Sequence, residues 1–255
     1  MKSEHVSNEA IGITCYCGSC STAPASHEKD ADLARRSFLR SAIAGTAVGV
    51  LAGAAITSPR QASAQSTLTP EAALKAMMDG NERYVGGQLT SFDEDLSILK
   101  AKTTEKQEPF ASVLSCADSR VPVELVFDQS IGHLFVVRVA GNVATPEVTA
   151  SLEYGIAVLG TKVLMVLGHG NCGAVKATIE GKAVPGQIST LYAPIRPAVD
   201  AAGPDLGATI DANAKIQATL LSNASPLIAE AIKEGRLKVV AARYDLASGR
   251  VSLLS

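Results

Sequence analysis

The almost wholly apolar run at 162–167 constrains this chain most, because it leads without a break into Gly168-His169-Gly170-Asn171-Cys172-Gly173. A strand made of such a run shows no alternation of apolar and polar residues. It must therefore be covered on both faces, as the strands of a helix-flanked parallel sheet are. The glycine-rich segment behind it predicts a tight turn from the carboxyl end of that strand into a helix, with the glycines letting the backbone curl. Similar apolar runs at 109–115, 134–139 and 237–243 predict further strands, and 251–254 a short final one.

Helical patterns fall between these runs. Thr69 and Pro70 open one as N-cap and first-turn residue, running to Tyr84 and ended by Gly86-Gly87. Others are expected from Pro146 to Gly160, from 226 to 233, around the apolar positions Ile188, Leu191, Ile195 and Val199, and from Asp211, read as an N-cap, through Ile216 and Leu220. The stretch after Gly87 reads as a charged, polar connection. Strands alternating with helices indicate an α/β fold with a central, mostly parallel β-sheet flanked by helices. No internal repeat is evident.

Residues 1–64 read as an export signal and 65–255 as one catalytic domain. Arg35-Arg36-Ser37-Phe38-Leu39-Arg40 is a twin-arginine start, an uncharged Ala/Gly/Val stretch follows, and Ala62-Ser63-Ala64 resembles a cleavage site. A buried N-terminal helix would have to hold Gly45, Gly49 and Gly53 at about 1 kcal/mol each relative to Ala, and the stretch is too weakly hydrophobic for a good membrane anchor. The expected location is periplasmic or secreted, with the Tat translocon as a transient partner. Cys15, Cys17 and Cys20 would leave with the signal. A net charge of -2 and no Lys/Arg run argue against a nucleic-acid partner and for a small-molecule substrate.

Cleavage would leave only Cys116 and Cys172 of the 5 cysteines. In an exported protein such a pair can form a disulfide, but their surroundings favour another role. Cys116-Ala117-Asp118-Ser119-Arg120 follows one predicted strand and His169 and Cys172 follow another, and ligands of parallel sheets bind at such carboxyl ends. Two thiolates and an imidazole with one position left open is the pattern of catalytic zinc, which soft sulfur ligands favour over magnesium or calcium. The same glycines match the dinucleotide fingerprint Gly168-x-Gly170-x-x-Gly173. That reading needs a second strand ending in an acidic residue about 20 positions on, and the segment 181–186 does not supply one. Asp118 lies close enough to reach the metal or its water, with Arg120 holding it ionised. Two thiolates cancel the charge of a zinc dication, so the bound water is less acidified and activity should rise toward alkaline pH.

The run Ser115-Cys116-Ala117-Asp118-Ser119-Arg120-Val121-Pro122, with Arg138-Val139-Ala140-Gly141-Asn142 and the His169/Cys172 segment, resembles the β-class carbonic anhydrases. The similarity extends to Gly80-Asn81-Glu82-Arg83-Tyr84 and to Arg243-Tyr244-Asp245-Leu246-Ala247-Ser248-Gly249, covering about residues 68–255. The resemblance implies Zn2+ on Cys116, His169 and Cys172, and reversible hydration of carbon dioxide to bicarbonate and a proton by attack of zinc-bound hydroxide. It implies an aspartate–arginine pair at Asp118 and Arg120, with Asp118 either beside the metal or swung onto it as a ligand. Gly141 and Gln129 are expected at the substrate, and His133 is a proton-relay candidate. Members of the family often carry Ser where Gly170 stands, so the polar rim is expected to vary. A homodimer or a tetramer is implied, built partly by the helix at 70–84. Two alternatives share the site: hydrolysis of carbonyl sulfide or carbon disulfide, and a non-catalytic zinc- or bicarbonate-binding module.

Overall fold

The computed structural model describes residues 66–255 apart from 92, 94 and 95. The expected export signal and its three cysteines lie outside the described residues. Helix α1 (Pro70–Val85) starts as expected, the Thr69 hydroxyl accepting a hydrogen bond from the Ala72 N–H at 3.2 Å. Helix α2 (Leu96–Thr103) follows in what had read as a polar connection; of its residues only Leu99 is buried, so it carries almost no core signal. Then come β1 (Ala111–Ser115), a single helical turn α3 (Val123–Val126), β2 (Leu134–Arg138), α4 (Pro146–Ala157), β3 (Val163–His169) and α5 (Gly173–Glu180). A 3-10 turn at Ile188–Leu191 leads into α6 (Tyr192–Ala202), and α7 (Leu206–Ala224), α8 (Pro226–Lys233), β4 (Lys238–Tyr244) and β5 (Val251–Leu254) complete the chain.

The five strands form one sheet in the order β2-β1-β3-β4-β5, all neighbours parallel except β4 with β5. All seven residues of β3 are buried, because alternate side chains enter two separate cores. Val163, Met165 and Leu167 pack on the face covered by α1 and α3; Leu164 and Val166 pack under α4, α7 and α8. A continuous apolar run is what a strand between two helical layers requires.

Helix α7 begins six residues before its expected start. Its N-cap is Asp205, which accepts from the Ala208 N–H at 2.7 Å, while Asp211 lies inside the helix and pairs with Arg243 at 3.1 Å. Two aspartates could have capped this helix, and the pull of a cation on β4 gives the second another task.

The motif 80–84 on α1 is explained by packing. A Cβ on Gly80 would stand 1.8 Å from the Phe127 carbonyl oxygen, so only glycine lets the helix come so close. Asn81 donates to the carbonyls of Val126 and Gly249 and accepts from the Val251 N–H. Arg83 reaches the buried Asp128 at 2.6 Å, and the Tyr84 and Tyr244 hydroxyls meet at 3.2 Å. Ala73 and Met77 are wholly buried in the chain's own core, so the apolar stripe of α1 does not need a partner to cover it.

Candidate metal centre

The chain leaves β1 for β2 on one side of the sheet and leaves β3 for β4 on the other, so the crevice of the sheet opens between the carboxyl ends of β1 and β3. Cys116 is the first residue after β1, His169 the last of β3, and Cys172 the residue before α5. Their ligand atoms all lie within 4.8 Å of one another, and the three residues are 5%, 0% and 1% exposed. The turn that joins His169 to Cys172 is made by Asn171, whose φ is 54°, and not by the flanking glycines. Asparagine tolerates this left-handed conformation better than most residues. A Cβ on Gly170 would meet nothing nearer than 3.9 Å, so this position has room for a small side chain.

Each donor atom is prepared for a cation. His169 Nδ1 lies 3.0 Å from the Gly170 carbonyl, to which it donates, so the lone pair resides on Nε2. That Nε2 is buried with no hydrogen-bond partner, a costly state for a polar nitrogen unless something else binds it. Cys116 and Cys172 are free thiols and not a disulfide. The Cys172 thiol hydrogen-bonds Cys116, which pulls the Cys116 thiol well below its ordinary value, helped by the Gly141 N–H. The same bond, with burial, pushes Cys172 up. Two free thiols beside an orphaned imidazole nitrogen form a donor set that a soft divalent cation completes while displacing the thiol protons.

Asp118 stands at the rim. The Arg120 Nε and Nη2 donate to its two oxygens at 2.9 and 2.7 Å, and the Arg120 N–H adds a third bond at 2.9 Å. This fork holds the Asp118 carboxyl well below the usual carboxylate range. Asp118 Oδ2 lies 3.9 Å from His169 Nε2, but with both oxygens engaged by arginine Asp118 stays outside the three-residue cluster. Arg120 thus keeps Asp118 at the rim of the cluster.

The expected substrate and relay residues are placed differently. The Gly141 N–H points at Cys116 Sγ, 3.3 Å away, so it serves the ligand sulfur. Its φ of 76° and the 2.7 Å that would separate a Cβ from Ile195 Cδ1 make glycine necessary. Gln129 donates to the Phe127 carbonyl and meets His133 at 3.3 Å, and none of its hydrogen bonds reaches the cluster. His133 precedes β2 at its amino end, whereas Arg138 at the other end reaches the Cys116 and Asp118 carbonyls. A strand of this length puts roughly 13 Å between those ends. Within one chain, then, neither Gln129 nor His133 serves the cluster.

Residues not singled out from the sequence support the site. Val143, Val175, Ile195 and Ile210 wall the two cysteines in an apolar cluster. The buried amides of Asn213 and Gln217 bond the loop after β2. Two buried carboxamides one turn apart on a mostly apolar helix face were the available signal. No second strand follows within 20 residues of Gly173, where the chain instead forms α5 and α6, so the dinucleotide reading falls away.

Residues 111–251 match the profile of the carbonic anhydrase family. A carbonic anhydrase of Mycolicibacterium smegmatis is 38% identical over 195 residues, covering 73% of this chain and 94% of its own. The β-carbonic anhydrase of Coccomyxa, solved with acetazolamide, superposes with a TM-score of 0.56 at 28% identity, covering 62% of this chain and 78% of that one. A tetrameric β-carbonic anhydrase of Sordaria macrospora shares the fold, with a TM-score of 0.57 at 24% identity over 71% of this chain and 96% of its own. The matched region contains the whole parallel sheet, its switch and all three cluster residues, and the chain belongs to the β-class carbonic anhydrases.

Proposed function

We propose that the chain hydrates carbon dioxide reversibly to bicarbonate and a proton, with zinc held by Cys116, His169 and Cys172. The observation that carries this reading is the buried, partnerless His169 Nε2 facing two free thiols. Bound there, zinc would supply Lewis acidity that makes water a competent nucleophile, increasingly so toward alkaline pH.

The remaining work belongs to the chain. The Gly170 carbonyl holds the His169 tautomer and ring orientation, and the Gly141 N–H steadies the Cys116 thiolate. Asp118, kept ionised by Arg120, accepts a hydrogen bond from the attacking water and turns a lone pair toward the substrate carbon. The walls of Val143, Val175 and Ile195 receive an uncharged substrate readily, and the same surface disfavours retention of the anionic product. Proton export passes outward from the exposed rim at Arg120, because the inner wall is apolar.

Two further parts of the reading concern the whole protein. Assembly into dimers or a tetramer is supported by the tetrameric relative from Sordaria macrospora. Export with removal of residues 1–64 is supported by the twin-arginine motif and the Ala62-Ser63-Ala64 triplet. The mass of the protein recovered from the cell envelope fraction checks the cleavage.

The test of function is stopped-flow carbon dioxide hydration by zinc-quantified protein from neutral to alkaline pH. Zinc-dependent turnover that rises with pH is expected. Full zinc occupancy without turnover at any pH would overturn the enzyme reading.

A further inference from the structure

Two buried amides on α7 have no part in the reaction as derived above. Asn213 and Gln217 are each 1% exposed and lie one helical turn apart, on a buried face that also holds Thr209, Ile210, Ala214, Ala218 and Leu221. Carboxamides in such a place carry a heavy desolvation cost unless their bonds are met, and leucine or methionine would fill the same volume without it. Their bonds are met, and mostly outside α7. Gln217 Nε2 donates to the Pro194 carbonyl at 3.0 Å and to Asn213 Oδ1 at 3.3 Å, while its Oε1 accepts from the Ala144 N–H at 2.9 Å. Asn213 Nδ2 donates to the Gly141 carbonyl at 2.9 Å.

Those targets converge on one place. Gly141 is the residue whose N–H points at Cys116 Sγ, and Ile195, next to Pro194, closes over Gly141. Asn213 grips the carbonyl of Gly141, and Gln217 grips the same loop three residues on and ties it to α6. Held on both sides, the left-handed Gly141 keeps its N–H turned to the sulfur.

We infer that Asn213 and Gln217 are positioning residues of the metal centre, holding the Gly141 N–H on the Cys116 sulfur and so setting how much charge that thiolate gives the metal. The inference rests on the zinc reading above. A hydrogen bond to a ligating sulfur draws charge away from the metal, and such supporting contacts tune the centre as much as the ligands themselves do. With the bond lost, the sulfur becomes the stronger donor and the metal the weaker Lewis acid.

The experiment substitutes cobalt(II) for zinc in the purified protein and records the sulfur-to-cobalt charge-transfer band, together with zinc affinity by chelator competition. Asn213→Leu should move the band to longer wavelength and change zinc affinity by about 10-fold or more. Gln217→Met, which keeps length and helix propensity, should shift the band in the same direction and serves if the first variant does not fold. Met77→Ala, a core truncation on the opposite face of the sheet, reports what loss of stability alone does and should leave band and affinity at the wild-type values. Wild-type band and affinity in both α7 variants would overturn the inference and leave the zinc centre standing. Wild-type protein that takes up neither metal would overturn the zinc reading, and this inference with it.

Discussion

Replacing Asn81 with alanine removes a side chain whose hydrogen bonds join α1, the α3 segment and the start of β5. Asn81 gives its amide protons to the Val126 and Gly249 carbonyls at 3.0 and 2.9 Å and takes the Val251 N–H at 2.8 Å, all from a buried position. Alanine leaves those three backbone groups without a partner. A buried polar group stripped of its bond costs about 1–3 kcal/mol. The two carbonyls keep a second lone pair and lose less than the N–H does. The sum is about 3–5 kcal/mol, against a typical total stability of about 5–15 kcal/mol. The assay is equilibrium urea unfolding of zinc-saturated wild type and variant at one protein concentration, so that metal and assembly contribute equally. With a slope of about 3 kcal/mol/M, the midpoint should fall by roughly 1–1.7 M at unchanged slope. A loss below about 1 kcal/mol would refute the reasoning, because it would mean that water reaches these groups as well as Asn81 does.

Other outcomes follow from the site. Cys172→Ser should lose both metal and activity, read by metal analysis of the purified variant and by hydration rate, since serine is a poor ligand for a soft dication. Asp118→Ala should keep its metal and lose hydration by about 100-fold or more, the range for a positioned proton-handling group; full turnover in this variant would remove the role given to the pair. For Asp128, burial would raise the carboxyl, but the hydrogen bonds from Arg83, Ser91 and Thr90 outweigh it and hold the group well below its ordinary value. Its contribution to stability is thus present above about pH 4 and is lost as pH falls from there toward the folded-state value. Urea midpoints measured between pH 5 and pH 3 should fall less steeply for Asp128→Asn than for wild type. Parallel slopes would show that the Asp128 network does not respond to acid.

Much of this architecture could be read from residue order. The unbroken apolar run before His169 required a strand covered on both faces, and β3 between two helical layers is that strand. Cys116 and the His169/Cys172 segment stood directly after predicted strands, so their meeting followed from parallel pairing alone. Other parts were illegible for identifiable reasons. Helix α2 turns one leucine inward, too few for a periodic signal. Asp205 and Asp211 are equal candidates for a cap until Arg243 approaches from β4 and claims one of them.

Residue identity and spacing along the chain determined which donors this protein owns, which strand ends carry them and which family it belongs to, because all of these are local properties of the backbone and its chemistry. Only the tertiary structure decided what each donor faces. It assigned Gly141 to the cysteine sulfur, kept Gln129 and His133 away from the cluster, and brought Asn213 and Gln217 behind it. The physical reason is that hydrogen-bond partners 25 to 73 residues apart in sequence, such as Gly141 with Cys116 and with Asn213, are chosen by how strands and helices pack together, and no local pattern records that choice.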